Sequence, residues 1–441
     1  MVRPLFGTDG VRGRAGEFLT AELALALARA TVELSGDQHP QVLIVRDTRE
    51  SGAMLEAAMA AGVTAAGGDV LLGGVLPTPA APLLLRRHGL QLAAVISASH
   101  NPYEDNGIKF FASDGFKLSD ETEAAIENHL GMPGATASRI GRVRTLHGAL
   151  EDYLRELHTR FADLDLTGRR VLLDCANGAT FRAAPEIFRR LGAQVDVIAD
   201  QPDGRNINDG VGSTHLDALS ERMAEGGHHV GFAFDGDGDR VLAVDPDGAV
   251  VDGDELIALA AKHLRDNGGL NGGGVAVTVM TNYGFHTAMV EAGIEVATTQ
   301  VGDRYVNEAL RSRGWRLGGE QSGHIIDLGF GPCGDGIASA LLTMEALAGA
   351  ELGARGAMRK LPQKLVNIRA DSRERLSLAM ATDAVQEAIR SADESLQGRG
   401  RVLVRASGTE PLIRVMVEAP TAEETERICS ELAATVESAL A

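Results

Sequence analysis

Three sections of this chain repeat one pattern, and the repeat limits the fold more than any other feature. The first runs Val42-Leu-Ile-Val-Arg-Asp47, a helical stretch, then Gly67-Gly-Asp-Val70-Leu-Leu. The second runs Val171-Leu-Leu-Asp-Cys175, a helical stretch, then Gly192-Ala-Gln-Val195-Asp-Val. The third runs Val275-Ala-Val-Thr-Val279, a helical stretch, then Ala292-Gly293-Ile-Glu-Val296. A crossover of that length joins parallel strands, so each section predicts a βαβ unit. Each continues to a third strand: Leu92–Ser97, Val230–Phe234, and a shorter one at Trp315-Arg-Leu-Gly. Polar loops follow: Ser97-Ala-Ser99-His100-Asn101-Pro102, Asp235-Gly-Asp237-Gly-Asp239-Arg240 and Gly319-Glu320-Gln321-Ser322-Gly323-His324. Ligands of open α/β sheets bind beyond the carboxyl ends of the strands. Three domains facing one cleft would therefore bring these loops into one site.

A fourth section differs. Val366-Asn-Ile-Arg, a helical stretch, Val402–Arg405 and Leu412–Val417 predict a small α+β domain, closed by a helix that Thr421 caps. The expected fold class is α/β: three similar domains with mixed, largely parallel sheets plus a C-terminal α+β domain, around one central cleft. The expected boundaries are 1–150 for the serine loop, 151–250 for the aspartate loop, 251–365 for the third loop and 366–441 for the last domain. A length of 441 residues suits roughly three domains, with room for four. Leu23, Leu27, Ala30 and Leu34 recur at helical spacing behind Thr20 and read as ordinary core packing.

The second loop carries the sharpest chemistry. Asp235, Asp237 and Asp239 alternate with glycines straight after an apolar run. Oxygen ligands select a hard divalent cation, and carboxylates this close repel one another without one. An EF-hand is excluded, because its Gly and Glu positions fall on Arg240 and Pro246. Two readings of the residues stay open beside a cation site: a solvated acidic turn, and Asp235 as the nucleophile of a metal-dependent phosphatase. In the last domain, Arg405-Ala-Ser407-Gly408-Thr409-Glu-Pro-Leu-Ile-Arg414 suits a phosphate, cradled by backbone N–H groups and clamped by guanidinium forks. A hairpin turn with solvated arginines is the plainer alternative.

A net charge of −19 argues against nucleic acid as a partner. Cys175, Cys333 and Cys429 lie far apart, as in a chain of reduced, buried cysteines. No signal peptide and no membrane span are expected, and the expected location is the cytoplasm.

The four loops, in this order, resemble the α-D-phosphohexomutase family along essentially the whole chain. Phe6-Gly-Thr-Asp-Gly-Val-Arg12-Gly, Asp105-Asn-Gly-Ile-Lys109-Phe-Phe and Gln321 favour its amino-sugar branch. The resemblance implies that Ser99 is carried as phosphoserine. It would give its phosphoryl group to a sugar monophosphate, let the 1,6-bisphosphate turn round, and take back the other phosphoryl. For this branch the net reaction is glucosamine 6-phosphate to glucosamine 1-phosphate, which supplies UDP-N-acetylglucosamine for the cell wall. Asp235, Asp237 and Asp239, with Ser99, would hold one Mg²⁺, and a hexose 1,6-bisphosphate would serve as activator or intermediate. Arg12 would steady the phosphoserine, and Arg240 would add charge nearby. Lys109 or His100 would take the sugar hydroxyl's proton, with Lys109 favoured because burial can lower a lysine pKa. Glu320, Ser322 and His324 would meet the sugar. Gly302-Asp303-Arg304 would either face the sugar or metal, or simply start a helix. Arg405, Ser407, Gly408, Thr409 and Arg414 would hold the phosphate that is not reacting. A phosphosugar is the expected small-molecule partner, and a homodimer is the one protein partner this reading allows. A sugar-phosphate sensor without turnover is the non-enzymatic rival; it has no need of the Ser99 loop.

Overall fold

In the computed structural model, which describes residues 5–7, 9–132, 137–370, 372–406 and 412–440, each repeated section builds a sheet of the same order. Gln41–Arg46 lies between Asp69–Val75 and Leu92–Ile96, parallel to both. Arg170–Asp174 lies between Gln194–Ile198 and Val230–Phe234, again parallel to both. Gly274–Thr278 lies between Glu295–Thr299 and Leu317–Gly319. Leu92–Ile96, Val230–Phe234 and Gly274–Thr278 are buried at every position, as befits strands covered on both faces.

Each sheet then adds a fourth strand that the sequence reading did not delimit, and it is antiparallel. Asp105–Ala112 pairs with Leu92–Ile96, Val241–Val244 with Val230–Phe234, and Ile325–Asp327 with Leu317–Gly319. Every polar loop is therefore the link between a third strand and its antiparallel neighbour. The ladder pins it at both ends, through Ile96 opposite Ile108, Phe234 opposite Val241 and Gly319 opposite Ile325. The first sheet is extended by Gly10–Arg14, antiparallel to Asp105–Ala112, which sets Arg12 opposite Gly107. A Cβ at Gly107 would stand 2.4 Å from the Ser97 carbonyl oxygen, so only glycine lets the serine loop approach this strand.

Thr20 caps helix Ala21–Leu34 by accepting from Leu23 N at 3.2 Å. Leu27 and Ala30 are buried as expected, whereas Leu34, at the helix end, is 39% exposed.

The chain divides into two compact units: Met1–Val279 with Val296–Arg355, and Met280–Glu295 with Gly356–Ala441. The second holds three antiparallel strands, with Leu412–Glu418 between Gln363–Arg369 and Arg401–Ala406. Its core joins Ile413, Val415 and Val417 to Leu396, Cys429 and Leu432. Helix Tyr283–Glu291 belongs to this unit, anchored where Tyr283 N donates to Glu418 Oε2 at 2.9 Å and Asn282 Nδ2 to Leu361 O at 3.1 Å. Thr421 caps the last helix, Ala422–Leu440, accepting from Glu424 N. All three cysteines are buried and unpaired. Among the described residues no helix is long and apolar enough to cross a membrane.

Candidate active site

Ser99 follows the strand Leu92–Ile96 by three residues and is 1% exposed. Its φ of 54° is left-handed, a conformation a residue with a side chain keeps only when its surroundings enforce it. Ser97 Oγ accepts from Ser99 N at 2.9 Å and donates to Asp47 Oδ2 at 2.6 Å. So held, Ser99 Oγ donates to Asp235 Oδ2 at 2.6 Å. His100 Nδ1 stands 3.3 Å from the same hydroxyl. Burial, with Arg240 and Arg12 close by, pushes the His100 pKa down to about 4, so its imidazole is neutral at pH 7.

The aspartate loop turns within six residues through Gly238, whose φ is +71°. Asp235, Asp237 and Asp239 are all buried, and one oxygen of each lies within 4.8 Å of the others. Asp237 Oδ2 accepts from Thr78 Oγ1 at 2.6 Å and from Lys109 Nζ at 3.0 Å. Asp235 Oδ1 accepts from Arg240 N at 3.2 Å. Asp237 Oδ1 and Asp239 Oδ1 are buried and receive no hydrogen bond among the described residues. Burial, then repulsion from Asp239 and Asp237, holds the Asp235 carboxyl well above the usual carboxylate range. Buried carboxylate oxygens left without donors, in an all-oxygen cluster, are the environment a hard divalent cation completes. The residues present fit Mg²⁺.

Cations surround this cluster. Lys109, 1% exposed, lies 2.9 Å from Asp9, 3.0 Å from Asp237 and 3.5 Å from Asp239. Burial works against its charge, but these carboxylates outweigh it and hold its pKa well above that of a free lysine. The expected downward tuning is thus reversed, because the carboxylates arrive from distant parts of the chain. Asp239 is the mirror image: burial opposes its charge, and Lys109, His324 and Arg240 keep it well below the usual range. Arg12 pairs with Asp9 and reaches Ala98 O at 3.5 Å; Arg240 Nε lies 3.9 Å from Asp239.

The third loop closes on the same cluster. His324 Nδ1 lies 3.6 Å from Asp239 and its Nε2 lies 3.8 Å from Asp303. Burial opposes its charge, yet Asp239, Asp303 and Glu320 raise its pKa to about 8. Glu320 accepts from Gly302 N at 2.9 Å and from Ser322 Oγ at 3.2 Å, which ties the loop to the 302–304 turn. Gln321 Nε2 donates to Asp252, the cap of helix Gly253–Asp266. Asp303 begins helix Asp303–Arg313, and its carboxylate lies 3.8 Å from His324 Nε2.

One compact unit thus gathers Ser99, His100, Lys109, Arg12, the three aspartates, Arg240, Asp303, Glu320, Ser322 and His324. Arg405 and Arg414 lie in the other unit, as cross-strand partners on adjacent strands. Ser407, Gly408 and Thr409 lie outside the described residues. Sequence reasoning missed several residues of the site, Thr78 on Asp237 among them. Asp9 pairs with Arg12, Lys109 and Lys117. Lys117 also reaches Asp303 at 2.5 Å, joining the first section to the third. Arg49 and Asn208 bind the backbone of the serine loop. Arg49 had a signal, the polar turn Asp47-Thr48-Arg49 at the carboxyl end of a parallel strand.

Family descriptions of phosphoglucomutase/phosphomannomutase match four times in succession: alpha/beta/alpha domain I over residues 3–133, domain II over 151–248, domain III over 252–365 and the C-terminal domain over 365–435. The phosphoglucosamine mutase of Moorella thermoacetica is 48% identical over 440 residues, spanning 97% of this chain and 98% of that one. A phosphoglucomutase/phosphomannomutase family protein from Burkholderia thailandensis shares the fold at a TM-score of 0.82 and 24% identity, over 98% of this chain and 97% of that one. The Aspergillus fumigatus N-acetylphosphoglucosamine mutase, solved with GlcNAc-6P and magnesium, shares it at a TM-score of 0.69 and 18% identity, over 99% and 96%.

Proposed function

This chain belongs to the phosphoglucomutase/phosphomannomutase family, and on that premise we propose that its site interconverts glucosamine 6-phosphate and glucosamine 1-phosphate. It is an isomerase of the phosphoglucosamine mutase kind, as its sequence relatives are named. The observation that carries the residue assignment is the Ser99 hydroxyl on Asp235 within a buried three-aspartate cluster.

Ser99 is the phosphoryl carrier. A serine hydroxyl needs activation, and Ser99 has two acceptors at hand, Asp235 and the neutral His100. His100 takes the proton of the attacking hydroxyl and returns it to the oxygen that loses the phosphoryl group, in either direction. Lys109, held as a cation, stabilises charge on the transferring oxygens instead of acting as a base, and Arg12 and Arg240 do the same from either side. Asp235, Asp237 and Asp239, with the serine oxygen, would hold one Mg²⁺. When bound, that ion neutralises phosphoryl oxygen charge, which phosphoryl transfer mainly requires besides positioning. Glu320, Ser322, His324 and Asp303 receive the sugar. Arg405 and Arg414, with Ser407, Gly408 and Thr409, hold the phosphate at rest.

The division at 1–150, 151–250, 251–365 and 366–441 assigns one loop to each domain. A bisphosphate intermediate follows from the carrier role, since the sugar monophosphate gains one phosphoryl group from Ser99 and carries two phosphates until it gives the other back. The product suits UDP-N-acetylglucosamine supply for the cell wall, and with it a cytoplasmic location.

Turnover with glucosamine 6-phosphate, glucose 6-phosphate and mannose 6-phosphate, each with Mg²⁺ and a trace of hexose 1,6-bisphosphate, tests the assignment. A kcat/KM preference for the amino sugar is expected. Preference for a neutral hexose would keep the mechanism and overturn the substrate.

A further inference from the structure

We propose that Arg49 and Asn208 are positioning residues for Ser99, fixing its backbone in the left-handed conformation that aims Oγ at Asp235. The inference rests on the reading of Ser99 as phosphoryl carrier.

Arg49 is 1% exposed, and all five of its guanidinium N–H groups have acceptors. Nε donates to Asp47 Oδ2 at 2.8 Å. One Nη donates to Pro102 O and, at 2.9 Å, to Asp105 O; the other donates to Ser99 O at 2.9 Å and Asn101 O at 2.8 Å. Four carbonyls of one loop are thus turned toward one buried fork. Burying an arginine is costly, and an apolar side chain would serve stability as well. What the fork adds is direction, because its planar donors fix where each carbonyl points.

Asn208 reaches the same loop from the second section. Its Nδ2 donates to Ser99 O at 2.9 Å and Asn101 O at 3.0 Å, two of the oxygens Arg49 already holds. Asn208 is itself left-handed, with φ 58°, and its N is tied to Ala176 O at 3.0 Å. The Ser99 carbonyl also abuts the aspartate loop: a Cβ at Gly236 would stand 2.6 Å from Ser99 O and 2.8 Å from Asn208 Nδ2. Two sections of the chain therefore grip one carbonyl. Released, the peptide plane is free to rotate toward ordinary right-handed backbone, and Oγ swings off Asp235.

Arg49 is 1% and Asn208 7% exposed, so neither presents a surface to the sugar. Losing the grip should impair transfer to and from Ser99 and spare substrate binding. The test, at a pH where an aspartate is ionised, compares the wild type with Asn208→Asp, which keeps size and as a carboxylate cannot donate, and with Arg49→Lys. Three quantities are read: kcat and KM for glucosamine 6-phosphate, the rate at which Ser99 is phosphorylated from glucose 1,6-bisphosphate by intact mass, and folding by circular dichroism. For Asn208→Asp the expectation is a kcat loss of about tenfold or more, a KM within about twofold, and charging of Ser99 slowed in proportion. A folded Asn208→Asp enzyme that charges and turns over like the wild type overturns the proposal. So does a kcat loss with Ser99 charging at the wild-type rate. If Arg49→Lys fails to fold, Asn208→Asp decides alone. A wild type that never becomes phosphorylated on Ser99 would instead remove the carrier reading, so the two failures are distinguishable.

Discussion

Lys109 Nζ stands 3.0 Å from Asp237 Oδ2, and both side chains are 1% exposed. The two meet across 128 residues of chain. The pair neutralises part of a cluster that would otherwise hold more buried negative charge than the fold can carry.

Lys109→Met should therefore harm stability and activity by separable routes. Breaking a buried pair by removing one partner costs about 3–5 kcal/mol. Melting in EDTA should show that loss, and Mg²⁺ should restore part of it, since a divalent ion compensates the same carboxylates. The kcat should fall about 100-fold or more with Mg²⁺ present, as when a charge-stabilising donor is removed elsewhere. Equal melting curves with and without Mg²⁺ would contradict this.

Asp235→Asn should reverse the usual relation of mutation to stability. Burial and its neighbours Asp239 and Asp237 disfavour the Asp235 charge, while an amide still accepts from Ser99. The metal-free variant should melt at or above the wild type, lose its Mg²⁺-dependent rise in Tm, and lose activity. Function and stability conflict at this position. A variant that melts well below metal-free wild type would refute the assignment.

Asp335 makes a pH prediction for the segment that packs behind the aspartate loop, where Gly336 N donates to Gly238 O at 3.0 Å. It caps helix Gly336–Leu347 and accepts from Tyr153 OH at 3.0 Å. Burial pushes its pKa up to about 6, against hydrogen bonds from Ala338 N and Tyr153. A folded value above the ordinary 3.8 means the stability this group contributes is complete below about pH 4 and is lost as pH rises through about 6. Asp335→Asn, neutral throughout, should gain on the wild type across that window by on the order of 2–3 kcal/mol. Denaturant unfolding of both proteins at pH 4, 5, 6 and 7 checks it, and a constant difference would refute it.

Lys117→Met should loosen the first section from the third. Lys117 bridges Asp9 and Asp303, and burial of its ammonium is outweighed by those carboxylates. Its loss leaves two partly buried carboxylates uncompensated, for about 3 kcal/mol. KM should rise more than kcat falls, because Asp303 and His324 receive the sugar. An unchanged KM would place the sugar elsewhere.

What the sequence showed and what it hid follow from distance along the chain. The parallel strands were legible because Val42–Val45, Val171–Leu173 and Val275–Val277 are apolar runs bounded by turns, and short-range pattern suffices for them. The fourth strands of the second and third sheets were not, because Val241–Val244 and Ile325–Asp327 are four and three residues long, too short for a period to show. The chemistry of Ser99 and the three aspartates was legible because it is written in loop residue types. The charge state of Lys109 was hidden, since it is set by Asp9 and Asp237, each about a hundred residues or more away. Arg49 stood in a visible polar turn, Asp47-Thr48-Arg49, but its partners and those of Asn208 were hidden: both bind backbone carbonyls of the serine loop, which leave no mark in a sequence.

The measurement that bears most directly on the account is the chemical identity of the phosphorylated residue. The enzyme would be charged with hexose 1,6-bisphosphate and Mg²⁺, its phosphopeptides mapped, and their lability compared in hydroxylamine and in alkali. The account predicts a single phosphate on Ser99, stable to hydroxylamine, released by alkali and transferred to added glucosamine 6-phosphate. A hydroxylamine-labile phosphate on Asp235 would contradict it.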